Sequence, residues 1–305
     1  MYSNKIETQD THADLECAFN QLDAMKLTEE AYRCCDYSND VKCDADDGVN
    51  VNEDCRNKMV QWCYQVVEFY GIDREIVVAT FSYIDRYIGG LRDRSNILSC
   101  RKRYQLLVMT SLYVATKVFE TKVIELSLLV KLSRGTYLKE DFENMERNLL
   151  FNLKWRLHPP TSTSFARQYL MIASMKDMDE ALTSACFAFV CTQIEKSLHQ
   201  YELALYRPST VAACGILNAL EHLDPQSSTD KFISRIEEIS TICNVDLDMK
   251  DVEEVRRILC NIVFPTEIFS LNAPSTTENH SRNRFVGNIR YSPICVGRQS
   301  QTVVE

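Results

Sequence analysis

The sequence predicts an all-α protein. Apolar residues recur at i, i+3, i+4 and i+7 through most of residues 54–264, and glycines and prolines fall where helices should stop or start. No segment alternates polar and apolar residues with a period of two, so no strand is expected. Two successive runs of five helices are legible, one over residues 54–160 and one over 161–265. An acidic N-terminal segment, 1–53, and a polar tail, 266–305, flank them.

Residues 1–53 are rich in Asp, Asn, Glu and Thr and contain the run Asp44-Ala45-Asp46-Asp47. One weak helix is expected where Leu15, Phe19, Leu22 and Leu27 approach helical spacing. The rest reads as flexible, because so few large apolar groups do not offset ordering entropy. From Glu53 the texture changes. Met59, Trp62, Cys63, Val66, Val67 and Tyr70 form one apolar stripe, stopped by Gly71. Asp73 can cap the next helix, whose stripe is Ile76, Val77, Thr80, Tyr83, Ile84 and Tyr87, and Gly89-Gly90 should end it. The third helix carries Leu106, Met109, Thr110, Tyr113 and Val114 and is apolar around its circumference, as a helix enclosed by others must be. A short fourth helix spans roughly Ile124 to Leu132, ahead of Ser133-Arg134-Gly135. The fifth carries Leu138, Phe142, Met145, Leu149, Leu150 and Leu153 and is expected to reach Trp155 before Pro159-Pro160 halts it.

The second run should place helices near 163–174, 179–199, 208–222, 229–244 and 248–264. Pro208 opens the third of these, where its missing N–H costs nothing. Leu182, Cys186, Phe189, Val190 and Ile194 form the stripe of the second. The two runs share helix count and length and little residue identity. Beyond Phe269 the chain turns to Ser, Thr, Asn and Arg and is expected to be a flexible tail.

Composition narrows the function. A net charge of −9 and a pI near 5.2 argue against a general nucleic-acid binder, which needs a basic face to displace counterions. The 13 cysteines are scattered, and Cys63, Cys186, Cys214 and Cys260 fall within helical stripes. With no signal-peptide pattern at the N-terminus, reduced thiols in a nuclear or cytosolic protein are the expectation. No apolar run approaches the roughly 20 residues that cross a bilayer, so no membrane partner is expected. Chemistry is equally sparse. None of the five histidines lies four residues from another, Cys-x-x-Cys is missing, and eight glycines supply no phosphate loop. No catalytic residue, metal or cofactor is assigned.

Four charges remain. Arg56, Asp85, Lys117 and Glu146 recur at intervals of roughly thirty residues, each inside a different apolar-faced helix. Charges enter such patterns when they are paired or wanted by a partner. The surrounding residues are Arg56-x-x-Met59-Val60-x-Trp62, Tyr83-Ile84-Asp85-Arg86-Tyr87, Gln105-Leu106, Ala115-Thr116-Lys117, Met145-Glu146 with Leu150, and Leu153-Lys154-Trp155 leading to Pro160-Thr161. This series resembles the cyclin box, whose five signature positions correspond to Arg56, Asp85, Leu106, Lys117 and Glu146. The Leu-Lys-Trp ending looks most like the D-type branch. Tyr206-x-Pro208-Ser209-x-Val211-Ala212-Ala213 resembles the third helix of the family's second five-helix repeat, so the resemblance covers roughly residues 54–264.

The resemblance implies two five-helix cyclin folds in tandem and a non-catalytic subunit that activates a cyclin-dependent protein kinase in the cell cycle. Cyclins press helices three to five of the first repeat against the kinase's regulatory helix, setting its Lys–Glu pair and activation loop. Lys117 and Glu146 correspond to charges that hydrogen-bond kinase main-chain groups, and Val118, Leu150 and Trp155 to apolar contacts around them. Arg56 and Asp85 correspond to an internal structural pair, and Leu106 to a core position. Cyclins that recruit substrates use a patch that maps to Met59, Trp62 and Gln105, a candidate site for docking peptides. Lys58 and Gln65 replace an apolar and an acidic residue there and weigh against Arg-x-Leu recognition. The alternatives are a transcription-associated cyclin and a general transcription factor of the same fold that clamps DNA. The acidic charge and missing zinc ribbon oppose the second.

Overall fold

The computed structural model describes residues 3–37, 50–121, 123–175, 178–223, 249–263, 285–286 and 289–290. It divides into two compact units, one of Cys34–His158 with Glu267–Glu305 and one of Met1–Arg33 with Pro159–Thr266.

The unit beginning at Cys34 holds the first helical run. Helix α2 (Glu53–Tyr70) starts on Asn52, whose side chain accepts the Cys55 N–H at 3.1 Å. It ends at Gly71, which takes the left-handed φ of 62° its stop signal requires. Helix α3 (Glu75–Gly90) is preceded by Asp73, whose carboxylate accepts the Glu75 N–H at 2.8 Å. Its Gly89 serves a close approach, since a Cβ there would sit 2.8 Å from the Cys35 carbonyl oxygen. A single turn, α4 (Ser95–Leu98), was not expected from periodicity. Helix α5 (Arg101–Phe119) packs against α2, α3 and the later α7 (Lys139–Asn152), and Tyr104, Gln105, Leu107–Leu112 and Val114–Thr116 are all buried. Its all-round apolar character therefore reads through to its place in the fold. Helices α6 (Leu126–Leu132) and α7 follow.

The stripes named from sequence form this core. Met59, Trp62, Cys63, Val66, Val67, Val77, Tyr83 and Ile84 are at most 2% exposed. Each large side chain of this kind contributes about 1.5–3 kcal/mol by leaving water. One boundary differs from expectation. Helix α7 stops at Asn152, three residues before Trp155, because Lys154 and Trp155 turn into the left-handed region with φ of 53° and 59°.

The other unit contains α1 (Ser3–Glu30), α8 (Ser162–Met175), α9 (Glu180–Ser197), a 3₁₀ turn (Tyr201–Leu205), α10 (Pro208–Leu223) and α11 (Met249–Val263). Helix α10 packs against α8, α9 and α11. Leu203, Val211, Cys214, Leu217, Val252, Val255, Ile258 and Leu259 share one cluster. The helix expected at 229–244 lies outside the described residues.

The N-terminal segment departs most from the reading of residues 1–53 as mostly flexible. In place of one weak helix it forms 28 residues of α1 docked on α8. Among its described side chains, only Ala18 and Leu22 are fully buried apolar groups. Polar contacts complete the docking. Gln168 donates to the Ala18 carbonyl at 2.7 Å, and the buried Glu29 carboxylate accepts the Ser209 N–H at 2.7 Å and its hydroxyl at 2.8 Å. Glu29 thus caps α10 from another helix. In the tail, Phe285–Val286 pairs antiparallel with Ile289–Arg290, a ladder too short to alter the all-α class.

Candidate partner-binding face

Helices α2 and α3 bring Arg56 and Asp85 together inside the first unit. Arg56 donates Nη1–H to Asp85 Oδ1 at 2.7 Å and Nη2–H to Oδ2 at 3.0 Å, a two-pronged contact with both side chains buried. The guanidinium also lies over the Phe81 ring, 4.9 Å from its centroid. Burial alone would pull its pKa down, but the charge and hydrogen bonds of Asp85 outweigh it and hold Arg56 above the usual arginine range. A third residue completes the group. Tyr37 donates its hydroxyl to Asp85 Oδ1 at 2.7 Å, and burial, then the Asp85 charge, drives its pKa well up. Cys34 Sγ–H donates to the Asp85 carbonyl oxygen at 3.2 Å. Sequence offered no signal for Tyr37, which sits in a stretch with no apolar period.

Lys117, near the end of α5, meets Glu146 of α7 with Nζ 2.7 Å from Oε1. Here the setting is open, with side chains 40% and 18% exposed. The ammonium also lies 4.9 Å from the Tyr113 ring centroid. Partial burial opposes its charge, while the hydrogen bond and charge of Glu146 raise its pKa.

The apolar residues assigned beside this pair divide. Val118 and Leu150 are half-buried, whereas Trp155 is 72% exposed. Phe151, at 80% exposed, and Phe119, at 43%, are large apolar groups in water that the sequence reading missed. Phe119 packs edge-on against His158, with ring centroids 5.4 Å apart. The missed signal for Phe151 was an aromatic residue just off the α7 stripe. Leu106 is half-buried on α5, beside the fully buried Leu107.

The residues of the candidate docking patch are buried in this chain. Met59 and Trp62 lie in the core, at 0% and 2% exposed. Gln105 is buried, and its Oε1 accepts the Tyr137 hydroxyl at 2.8 Å. The physical reason is that α2 contacts both α3 and α5, so the stripe read as a patch is the stripe that packs. Lys58 is occupied by Asp54 one turn earlier. Three arginines between residues 92 and 103 are also committed to local structure. Arg94 donates to the carbonyls of Asp36 and Gly89, Arg101 to that of Asn50 and Arg103 to that of Asn96. Among the described residues no group of His, Cys, Asp and Glu could hold a metal, and no helix is long and apolar enough to cross a membrane.

Comparison with known proteins adds an independent line. Residues 22–158 match the family model "Cyclin, N-terminal domain", and residues 160–282 match "Cyclin, C-terminal domain". Cyclin-A1-2 of Arabidopsis thaliana is 31% identical over 176 residues, covering 58% of this chain and 38% of that protein. Cyclin-A1-3 of Oryza sativa subsp. japonica is also 31% identical over 176 residues, covering 58% of this chain and 34% of the rice protein. The chain thus aligns with little more than a third of the length of these relatives. They carry A-type names, where the Leu153-Lys154-Trp155 ending resembles the D-type branch. The X-ray structure of a viral cyclin from herpesvirus saimiri superposes with a TM-score of 0.55 at 21% identity, covering 79% of this chain and 97% of the viral one, a likeness of fold.

Proposed function

The chain belongs to the cyclin family, with both of the family's domains in tandem, and on that premise we propose that it is a non-catalytic subunit that binds and activates a cyclin-dependent Ser/Thr protein kinase during the cell cycle. One observation carries the reading. Lys117 of α5 and Glu146 of α7 form a partly exposed ion pair, and the same two helices and the turn after α7 also carry the exposed Phe119, Phe151 and Trp155. A surface pair contributes little to folding, and exposed aromatic groups cost solvation, so neither is kept for the free chain's stability. Together they have the makeup of an interface: apolar anchors around a small number of orienting charges. In the free chain each charge satisfies the other. Against a kinase, the ammonium donates to main-chain carbonyls and the carboxylate accepts main-chain N–H groups, while the aromatic residues exclude water around them.

Nucleus and cytoplasm are the compartments this role requires. Docking of substrate peptides on α2 is not part of the proposal, because Met59 and Trp62 are core residues here. The test is co-purification from cycling cells followed by a kinase assay. The wild-type chain should recover and activate a cyclin-dependent kinase, and Lys117→Ala and Glu146→Ala, still folded by circular dichroism, should do neither. Full activation by both variants would sink the reading, as would a wild-type chain that shifts duplex DNA and recovers no kinase.

A further inference from the structure

Three helices of the first unit end in the same way, and one of them does so with no glycine in the turn. After α2, the Gly71 N–H bonds the Glu68 carbonyl at 3.2 Å and the Ile72 N–H bonds that of Val67 at 2.9 Å. After α6, Arg134 bonds Lys131 at 3.0 Å and Gly135 bonds Val130 at 3.2 Å. After α7, Lys154 bonds Phe151 and Trp155 bonds Leu150, both at 3.1 Å. This closing motif requires a left-handed residue, usually glycine. Gly71 supplies it after α2, and Arg134 and Gly135 share it after α6 at φ of 56° and 70°, whereas α7 uses Lys154 and Trp155, at φ of 53° and 59°, with no glycine at all. Two consecutive residues with side chains therefore hold a backbone conformation that such residues rarely adopt.

What holds them is on α3. The fully buried Tyr83 donates its hydroxyl to the Leu157 carbonyl, and Arg86, one helical turn later on the same face, donates Nη2–H to the Arg156 carbonyl at 3.0 Å. The result is an indole 72% exposed. The free chain pays in backbone strain and in apolar hydration for a display that gives its own core nothing. Strain retained at one place in this way is a mark of function.

We propose that the turn at residues 153–157 is a preformed anchor presenting Trp155 to the kinase, with Tyr83 and Arg86 as its positioning residues. This rests on the kinase-binding reading and deepens it. A turn already fixed loses less conformational freedom on binding, and tryptophan is the residue most enriched among dominant interface anchors. Tyr83 and Arg86 act through the turn and need not touch the kinase.

The chain has two tryptophans, one exposed and one buried, which makes the test direct. On the free chain, acrylamide quenches Trp155 and spares Trp62. Arg86→Ala and Tyr83→Phe should lower the anisotropy of the quenchable emission and leave the unquenched part as in wild type. Binding is then measured with the purified cyclin-dependent kinase recovered with the wild-type chain. Trp155→Ala should weaken it about a hundredfold and Arg86→Ala about tenfold. In the Trp155→Ala background, Arg86→Ala should weaken it no further. Equal weakening by Arg86→Ala with and without Trp155 would overturn the positioning role, as would unchanged anisotropy. Wild-type affinity in Trp155→Ala, with binding still lost in Lys117→Ala, would overturn the anchor and leave the kinase reading standing. Failure of the wild-type chain to bind any such kinase would remove the kinase reading and the anchor with it, the anisotropy alone deciding whether Tyr83 and Arg86 hold the turn.

Discussion

Arg56 and Asp85 meet at 2.7 Å with side chains 6% and 5% exposed, while Lys117 and Glu146 meet at the same 2.7 Å with side chains 40% and 18% exposed. The contact distance is shared and everything that sets its consequence differs. The first pair has two hydrogen bonds between fixed planar groups, a phenol on the same carboxylate and a ring beneath the guanidinium. The second has one bond from a flexible ammonium, in contact with water. An ion pair is assigned a role by its surroundings, and its length alone assigns none.

The sharpest way to break this comparison is to remove one partner from each pair. Arg56→Ala leaves a buried carboxylate with a tyrosine as its remaining partner and should cost about 3–5 kcal/mol, read as a shift in the denaturation midpoint. A cost under about 1 kcal/mol would mean that water reaches Asp85. Lys117→Ala should cost less than about 1 kcal/mol of stability. At a kinase interface, where the same charge is desolvated, its loss should cost about 2–5 kcal/mol, weakening the complex about 30- to several-thousand-fold. A Lys117→Ala variant that unfolds like Arg56→Ala would erase the distinction between the pairs.

A smaller effect is expected at the turn after α7. Lys154→Gly relieves a left-handed residue and should raise stability by about 1 kcal/mol in thermal unfolding. A loss of stability would mean that the lysine stem packs favourably there. The smallest concerns Glu29, a buried carboxylate capped by the N–H and hydroxyl of Ser209. Burial raises its pKa despite those donors and the nearby Arg207. The folded state then holds this proton more tightly than the unfolded chain, and the cost of burying the charge eases as pH falls through the folded value. Wild type should therefore gain melting temperature relative to Glu29→Gln as pH falls from neutrality toward the ordinary carboxylate range. A constant difference would show that Ser209 fully offsets burial.

The same contrast explains how far the sequence could be read. Period, caps and glycine stops placed α2, α3 and α5, because those signals are local and the stripes they mark are the ones that pack. Signature spacing singled out both pairs, since each charge interrupts an apolar helix. Three things were out of reach. Helix α1 has almost no periodic signal, because its docking relies on Glu29 and Gln168 meeting residues far along the chain. The end of α7 was misplaced because Lys154 and Trp155 adopt a conformation for which their residue types give no cue. Met59 and Trp62 were read as a docking patch because a helical stripe does not reveal which side of it water reaches.

The strap of Cys34 to Tyr37 has a practical corollary. The carbonyl of Cys35 nestles where Gly89 lacks a side chain, and the Tyr37 phenol reaches the Asp85 carboxylate. An expression boundary drawn at the first helix of the five, near Glu53, would amputate that phenol and unroof the innermost charge of the bundle. The smallest autonomous fragment of this half of the molecule should therefore begin upstream of Cys34, in residues whose letters look dispensable.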